Sequence, residues 1–352
     1  MSSKSREAVE PSADVSKVTP LPVRAAANAP DRSGHGVARN PGMKLDLGFL
    51  ESMRSVNRSA LERRAATLTK RRSIKGDNQA AWLLRAIACM DLTTLSSNDT
   101  DERVRRLCAK AVDPLRRDLV EGLGIAAEKI RPAAVCVYNP FVSAAVEALR
   151  GSGVHVAAVS TAFPHGLAPL DTRLREIEAS VRDGADEIDV VIRRGLVFEA
   201  KWPELYDEIA AFRAACGEAH LKVILGTGDL SNLRNVTLAS MVAMMAGADF
   251  IKTSTGKESV NATLLVGLAM VRAIRAYFEE TGILIGFKPA GGISTAKTAL
   301  DWLILMKEEL GRPWLEPTLF RFGASSLLTD IERQLEHHLT GHYSANHRHA
   351  LA

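Results

Sequence analysis

From about residue 80 onward, apolar and polar positions follow two alternating patterns. Short runs rich in β-branched and other apolar residues close on small or polar ones, and longer stretches with apolar residues at helical spacing lie between them. The short runs fall at 87–92, 133–138, 154–161, 187–192, 221–227, 249–255, 283–289 and 319–325. The helical stretches include 101–121, 171–183, 203–216, 233–245, 262–280 and 296–310. Several open on capping residues, among them Asp99-Thr100-Asp101-Glu102, Asp171-Thr172 and Ser294-Thr295. The runs lack the two-residue alternation of a sheet with one wet face. Strands of this kind, each followed by a helix, predict a parallel sheet covered on both sides. Eight such units over about 250 residues match a (β/α)8 TIM barrel, placed here at residues 79–342. A doubly wound sheet is the rival, but no Gly-x-Gly-x-x-Gly follows an early run.

Upstream, Leu61, Ala65 and Leu68 recur at helix spacing while Arg63, Arg64, Arg71 and Arg72 fill other positions. This predicts an N-terminal helical extension over 43–78, laid on the barrel with a basic face to solvent. Residues 1–42 hold five prolines and neither aromatics nor isoleucine, too little apolar surface to offset the entropy of ordering, so a disordered tail is expected. Glu7, Glu10, Asp14 and Asp31 argue against a transit peptide. Residues 343–352 read as a flexible C-terminal tail. His337, His338, His342, His347 and His349 resemble a metal cluster by composition, but an exposed tail accounts for them more simply.

Composition narrows the function classes. A chain of 352 residues with 46% hydrophobic content can build one large core. The net charge of +4 comes mainly from residues 44–75, where nine Lys/Arg face three acids. No aromatics interleave with those charges, so nucleic acid is not an expected partner. No apolar run reaches membrane-spanning length. The four cysteines, Cys89, Cys108, Cys136 and Cys216, form no CxxC or paired framework, which fits reduced thiols and a cytoplasmic location.

The candidate chemistry lies where apolar runs are interrupted by charge. Lys252 stands in Phe250-Ile251-Lys252, where a buried strand residue is expected, and Lys288 stands likewise in Gly286-Phe287-Lys288-Pro289. Asp189 interrupts Glu187-Ile188-Asp189-Val190-Val191-Ile192. Each alone could be a structural ion pair, but three buried ionisable groups on one barrel interior are individually expensive. Two neighbouring lysines in a poorly solvated site favour one free amine near neutral pH. A free amine attacks a carbonyl to form a Schiff base, whose protonated imine stabilises a carbanion at the adjacent carbon. Asp189 could then move protons.

A second constellation suits an anion. Gly256-Lys257 follows the sixth run, Gly291-Gly292 the seventh, and Gly323-Ala324-Ser325-Ser326 the eighth. Glycines let backbone N–H groups approach a phosphate, and helix N-termini favour its charge. Thr255-Gly256-Lys257 is not a Walker A loop, because Glu258 stands where Ser or Thr is required.

Together with Met90-Asp91-Leu92-Thr93-Thr94-Leu95 and Arg321-Phe322-Gly323-Ala324-Ser325-Ser326, these segments strongly resemble the deoxyribose-phosphate aldolases, in the same order and with matching spacing. The N-terminal helix and Gln79-Ala80-Ala81-Trp82-Leu83-Leu84 resemble the longer, animal-type branch. The resemblance implies a class I aldolase that cleaves 2-deoxy-D-ribose 5-phosphate to D-glyceraldehyde 3-phosphate and acetaldehyde, in deoxyribose phosphate catabolism. It implies Lys252 as the Schiff-base lysine, Lys288 as the lysine that lowers its pKa, and Asp189 as the proton-transfer carboxylate. Gly256, Lys257, Gly291, Gly292, Ser325 and Ser326 would hold the phosphate, and Asp91, Thr93 and Cys136 would line the pocket. No metal or other cofactor is implied, and a homodimer or other homo-oligomer is expected. Departures from the family pattern are Ser294 in place of a frequent arginine, expected to weaken phosphate binding, Asn139 before Pro140, and Asp229 where Glu is usual. Tyr343 is a weak candidate for a residue that closes over the site. The competing readings are a barrel lyase for another phosphorylated sugar and a non-catalytic binding barrel recruited through residues 1–75.

Overall fold

A computed structural model describes residues 37–126 and 130–349. Eight strands run in chain order: β1 (Met90–Thr93), β2 (Ala134–Tyr138), β3 (His155–Ser160), β4 (Glu187–Val191), β5 (His220–Ile224), β6 (Phe250–Lys252), β7 (Gly286–Lys288) and β8 (Phe322–Ala324). Thirteen α-helices are described: α1 (Leu47–Ser52), α2 (Arg58–Leu68), α3 (Gly76–Ala88), α4 (Asp101–Val112), α5 (Arg117–Leu123), α6 (Val142–Leu149), α7 (Leu170–Arg182), α8 (Gly195–Phe198), α9 (Trp202–Ala215), α10 (Leu233–Met245), α11 (Leu264–Thr281), α12 (Ala296–Glu309) and α13 (Leu327–Thr340). Each strand pairs in parallel with its neighbour in the order β7-β6-β5-β4-β3-β2-β1-β8. Two parallel bridges, Phe287 to Phe320 and Ala290 to Gly323, join β7 to the β8 side and close the ring. The expected TIM barrel is therefore the fold, with every predicted run contributing a strand.

The barrel interior is layered. Lys222 is in register with Phe250, and Phe250 with Gly286. One step nearer the strand C-termini, Ile224, Lys252 and Lys288 share a level. Gly286 is small because Phe250 needs the space: a Cβ there would stand 2.3 Å from the Phe250 ring. The ring in turn carries the Arg321 guanidinium 5.7 Å from its centroid. Gly286→Ala is expected to lower stability by about 1–3 kcal/mol through overpacking, read as a lower urea midpoint.

Several local expectations are corrected. The helix expected over 101–121 is two, because Pro114 lacks an N–H and holds Asp113 outside helical geometry (φ −127, ψ 74). The expected start of the first strand at 87 is still helix: α3 runs to Ala88 and packs on α12 and α13. The N-terminal extension is likewise not one helix but α1 and α2, separated by the non-helical residues 53–57, with α2 lying on α11 and α12.

Of the expected tail at 1–42, residues 1–36 lie outside the described residues. Residues 37–42 are docked rather than loose: Asn40 is buried and donates its side-chain amide to the carbonyls of Met244 and Ala248 at 2.7 and 2.9 Å. The C-terminal segment also folds back, at least to His349. Ser344 and His349 are buried against each other at 2.9 Å, and Arg348 pairs with Glu336 on α13 at 3.1 Å. The histidines are thus not all on an exposed tail, and residues 350–352 lie outside the described residues. Tyr343 stacks on His337 of α13, is exposed, and does not line the cavity at the barrel mouth. Among the described residues no three His, Cys, Asp or Glu are grouped to hold a metal, and no helix is long and apolar enough to cross a membrane.

Candidate active site

The strand C-termini surround a cavity of about 330 Å³. Its wall comes from the loops after β1, β6, β7 and β8 and from α4. Thr93, Gly256, Lys257, Gly291, Gly292, Ser325 and Ser326 all line it, with Ser294 among them. Gly291 and Gly292 adopt φ of +83 and +77, left-handed values that favour glycine, and bring the backbone to the wall. Gly256 lines the cavity too, but its N–H already donates to Glu258 at 3.1 Å, as does that of Thr255. The Lys257 ammonium donates across the mouth to the Leu95 carbonyl at 3.0 Å.

Lys252 also lines the cavity, and beneath it lies a fully interior charge cluster. Asp189 accepts from Lys252 and from Lys288 at 2.7 Å each through one oxygen, and from Lys222 at 3.1 Å through the other. Asp91 accepts from Arg321 at 2.7 Å and pairs with Lys288 and, at 3.4 Å, with Lys222. Glu187 accepts from Arg321 at 2.8 Å and from Lys222. Asp91 and Cys136 therefore sit within the barrel below the cavity, not on its wall. Burial pushes the Cys136 thiol up, so it stays protonated.

Four basic side chains meet three carboxylates in this cluster, so full ionisation leaves one positive charge in excess. Partners decide which base gives up a proton most readily. Lys222 touches three carboxylates, Lys288 two and Lys252 one. Burial lowers the Lys252 pKa, and repulsion by Lys288 adds to it; attraction to Asp189 does not offset the two. Burial acts on Lys288 in the same sense, but Asp189 and Asp91 together outweigh it and raise its pKa. For Asp91, burial favours the neutral form, yet Lys222, Lys288 and Arg321 prevail and bring its pKa to about 2. Asp189 is held well below the usual carboxylate range: burial opposes this, and its three lysines overcome it. The arrangement supplies one amine at the cavity wall that gives up its proton more readily than its neighbours, an ammonium beside it, and an ionised carboxylate between them.

The expectation placed Lys252, Lys288 and Asp189 together, and they are together. It missed Lys222, Glu187 and Arg321. Lys222 had the same signal as Lys252, a lysine inside the apolar stretch Leu221-Lys222-Val223-Ile224. Arg321 interrupts Leu319-Phe320-Arg321-Phe322 in the same way, whereas Glu187 was visible only as the polar start of its run.

A parallel eight-stranded barrel with a buried lysine facing a cavity at its strand C-termini has the architecture of the barrel enzymes. The sequence profile of the DeoC/LacD family of aldolases matches residues 85–329. The deoxyribose-phosphate aldolase of Mus musculus is 58% identical over 308 residues, covering 87% of this chain and 96% of that protein. The Homo sapiens deoxyribose-phosphate aldolase is 56% identical over 312 residues, covering 88% and 98%. Among solved structures, the aldolase QR15 superposes with a TM-score of 0.55 at 28% identity, covering 72% of this chain and 97% of that one. The chain belongs to the DeoC/LacD aldolase family.

Proposed function

We propose that this enzyme reversibly cleaves 2-deoxy-D-ribose 5-phosphate to D-glyceraldehyde 3-phosphate and acetaldehyde through a Schiff base on Lys252. One observation carries the reading. Of the three lysines in the interior cluster, only Lys252 lines the cavity, and it has the fewest carboxylate partners. The names of the mammalian relatives support the substrate.

In this reading the Lys252 amine attacks C1 of the open-chain sugar. The Lys288 ammonium donates a proton to the carbinolamine oxygen, which leaves as water and gives the iminium. Asp189, ionised between the two lysines, relays the proton taken from the C3 hydroxyl. The C2–C3 bond then breaks: C3 becomes the aldehyde of glyceraldehyde 3-phosphate, and its electron pair passes to C2 to form an enamine. Protonation at C2 and attack by water release acetaldehyde and restore the amine. Lys257 and the loops after β7 and β8 would hold the phosphate. This chemistry belongs to deoxyribose phosphate catabolism, and four buried, unpaired cysteines support a reducing compartment such as the cytosol.

A coupled assay for glyceraldehyde 3-phosphate release from 2-deoxyribose 5-phosphate tests the substrate. Robust turnover is expected. Faster turnover of a sugar phosphate bearing a 2-hydroxyl would favour a lyase for another substrate, and binding without turnover would favour a non-catalytic barrel.

A further inference from the structure

We propose that Arg103, the third residue of α4, is a phosphate-binding residue of this site; the inference rests on the aldolase reading above. Arg103 lines the cavity together with Leu107, one helical turn further on, so this face of α4 forms part of the wall. Apart from Lys252, the only charged residues of the wall are Arg103 and Lys257, and no Asp or Glu belongs to it. A wall with two cations and no carboxylate suits a dianion.

The two cations converge on one side of the mouth. Lys257 reaches from the β6 loop to the Leu95 carbonyl. Arg103 stands beside Asp99, four residues from Leu95, through a long 3.4 Å contact at its Nε. That contact leaves the guanidinium available. Asp99 is already satisfied, accepting from the Thr94 hydroxyl at 2.8 Å and from the Ser96 N–H at 2.9 Å. It therefore steadies Arg103 without neutralising it fully, and among the described residues the Arg103 Nη groups have no hydrogen-bond partner. A guanidinium presents two parallel N–H groups to a phosphate, a pairing that an ammonium cannot make. Ser294, on the loop after β7 in the same wall, carries no charge, so Arg103 supplies the second cation from α4.

The test is Arg103→Gln, assayed with 2-deoxyribose 5-phosphate and with unphosphorylated 2-deoxyribose. The KM for the phosphorylated sugar should rise about tenfold with kcat little changed, the loss of one charge-assisted contact. The kcat/KM for the unphosphorylated sugar should stay at the wild-type value. Inorganic phosphate binding, measured by calorimetry, should weaken in parallel. Arg103→Lys should fall between, and adding Ser294→Arg to Arg103→Gln should restore the KM from the loop after β7. An unchanged KM together with unchanged phosphate binding would overturn the assignment, and so would an equal loss with both sugars. If the wild-type enzyme fails to cleave 2-deoxyribose 5-phosphate, the aldolase reading falls instead, and phosphate binding alone decides the role of Arg103.

Discussion

Lys252→Ala should lose aldol cleavage by at least about 10⁴-fold, with the folded state retained. The fold should survive because the substitution leaves no orphaned charge: Asp189 keeps Lys222 at 3.1 Å and Lys288 at 2.7 Å. Breaking a buried pair is destabilising chiefly when it strands a partner, and here it does not. The variant also removes the surplus cation of the cluster, leaving three bases on three carboxylates. Its thermal transition should therefore lie close to that of the wild type. The chemical counterpart is trapping. Wild-type enzyme treated with acetaldehyde and borohydride should carry one N-ethyl group, and peptide mapping should place it on Lys252. An adduct on Lys222 or Lys288 instead, or full activity in the alanine variant, would refute the assignment.

Lys288→Met should move the rising limb of the pH–rate profile upward. Imine formation needs the neutral amine, so the rate climbs as pH rises through the Lys252 pKa. In the wild type that pKa is lowered, first by burial and then by the neighbouring Lys288 charge, so the neutral form is available nearer neutrality. Without Lys288 the repulsion is gone and Asp189 still attracts the Lys252 ammonium at 2.7 Å. The count then balances with Lys252 protonated, so the cluster no longer favours loss of its proton. Activity at neutral pH should fall by about tenfold or more and partly recover in alkali. Methionine keeps much of the lysine's volume, which limits the cavity left behind. A flat loss at every pH would mean that Lys288 acts only by donating protons.

How much of this was legible in the sequence varies with the range of the force involved. Strand positions were legible because burial on both faces writes a local apolar run. Lys252, Lys288 and Asp189 were legible for the same reason, since each breaks such a run. The break at Pro114 was legible in principle, because proline acts on its own neighbours, but helical spacing on either side masked it. The docking of Asn40 was not, because its partners lie more than 200 residues away.

The sequence by itself determined that charged groups occupy the inside of a barrel and that glycine and hydroxyl loops follow its last strands. The apolar runs alone did not separate the three lysines; the resemblance to the deoxyribose-phosphate aldolases is what implied Lys252. Lys222, Lys252 and Lys288 look alike in their runs, each a lysine among apolar residues. The tertiary structure decided how their surroundings differ: it gives them three, one and two carboxylates and leaves Lys252 alone of the three at the cavity wall. The physical reason is that a pKa responds to charge and solvent through space. For Lys252 the cause is burial first, then the charges of Asp189 and Lys288, on strands the chain brings together only when the barrel closes.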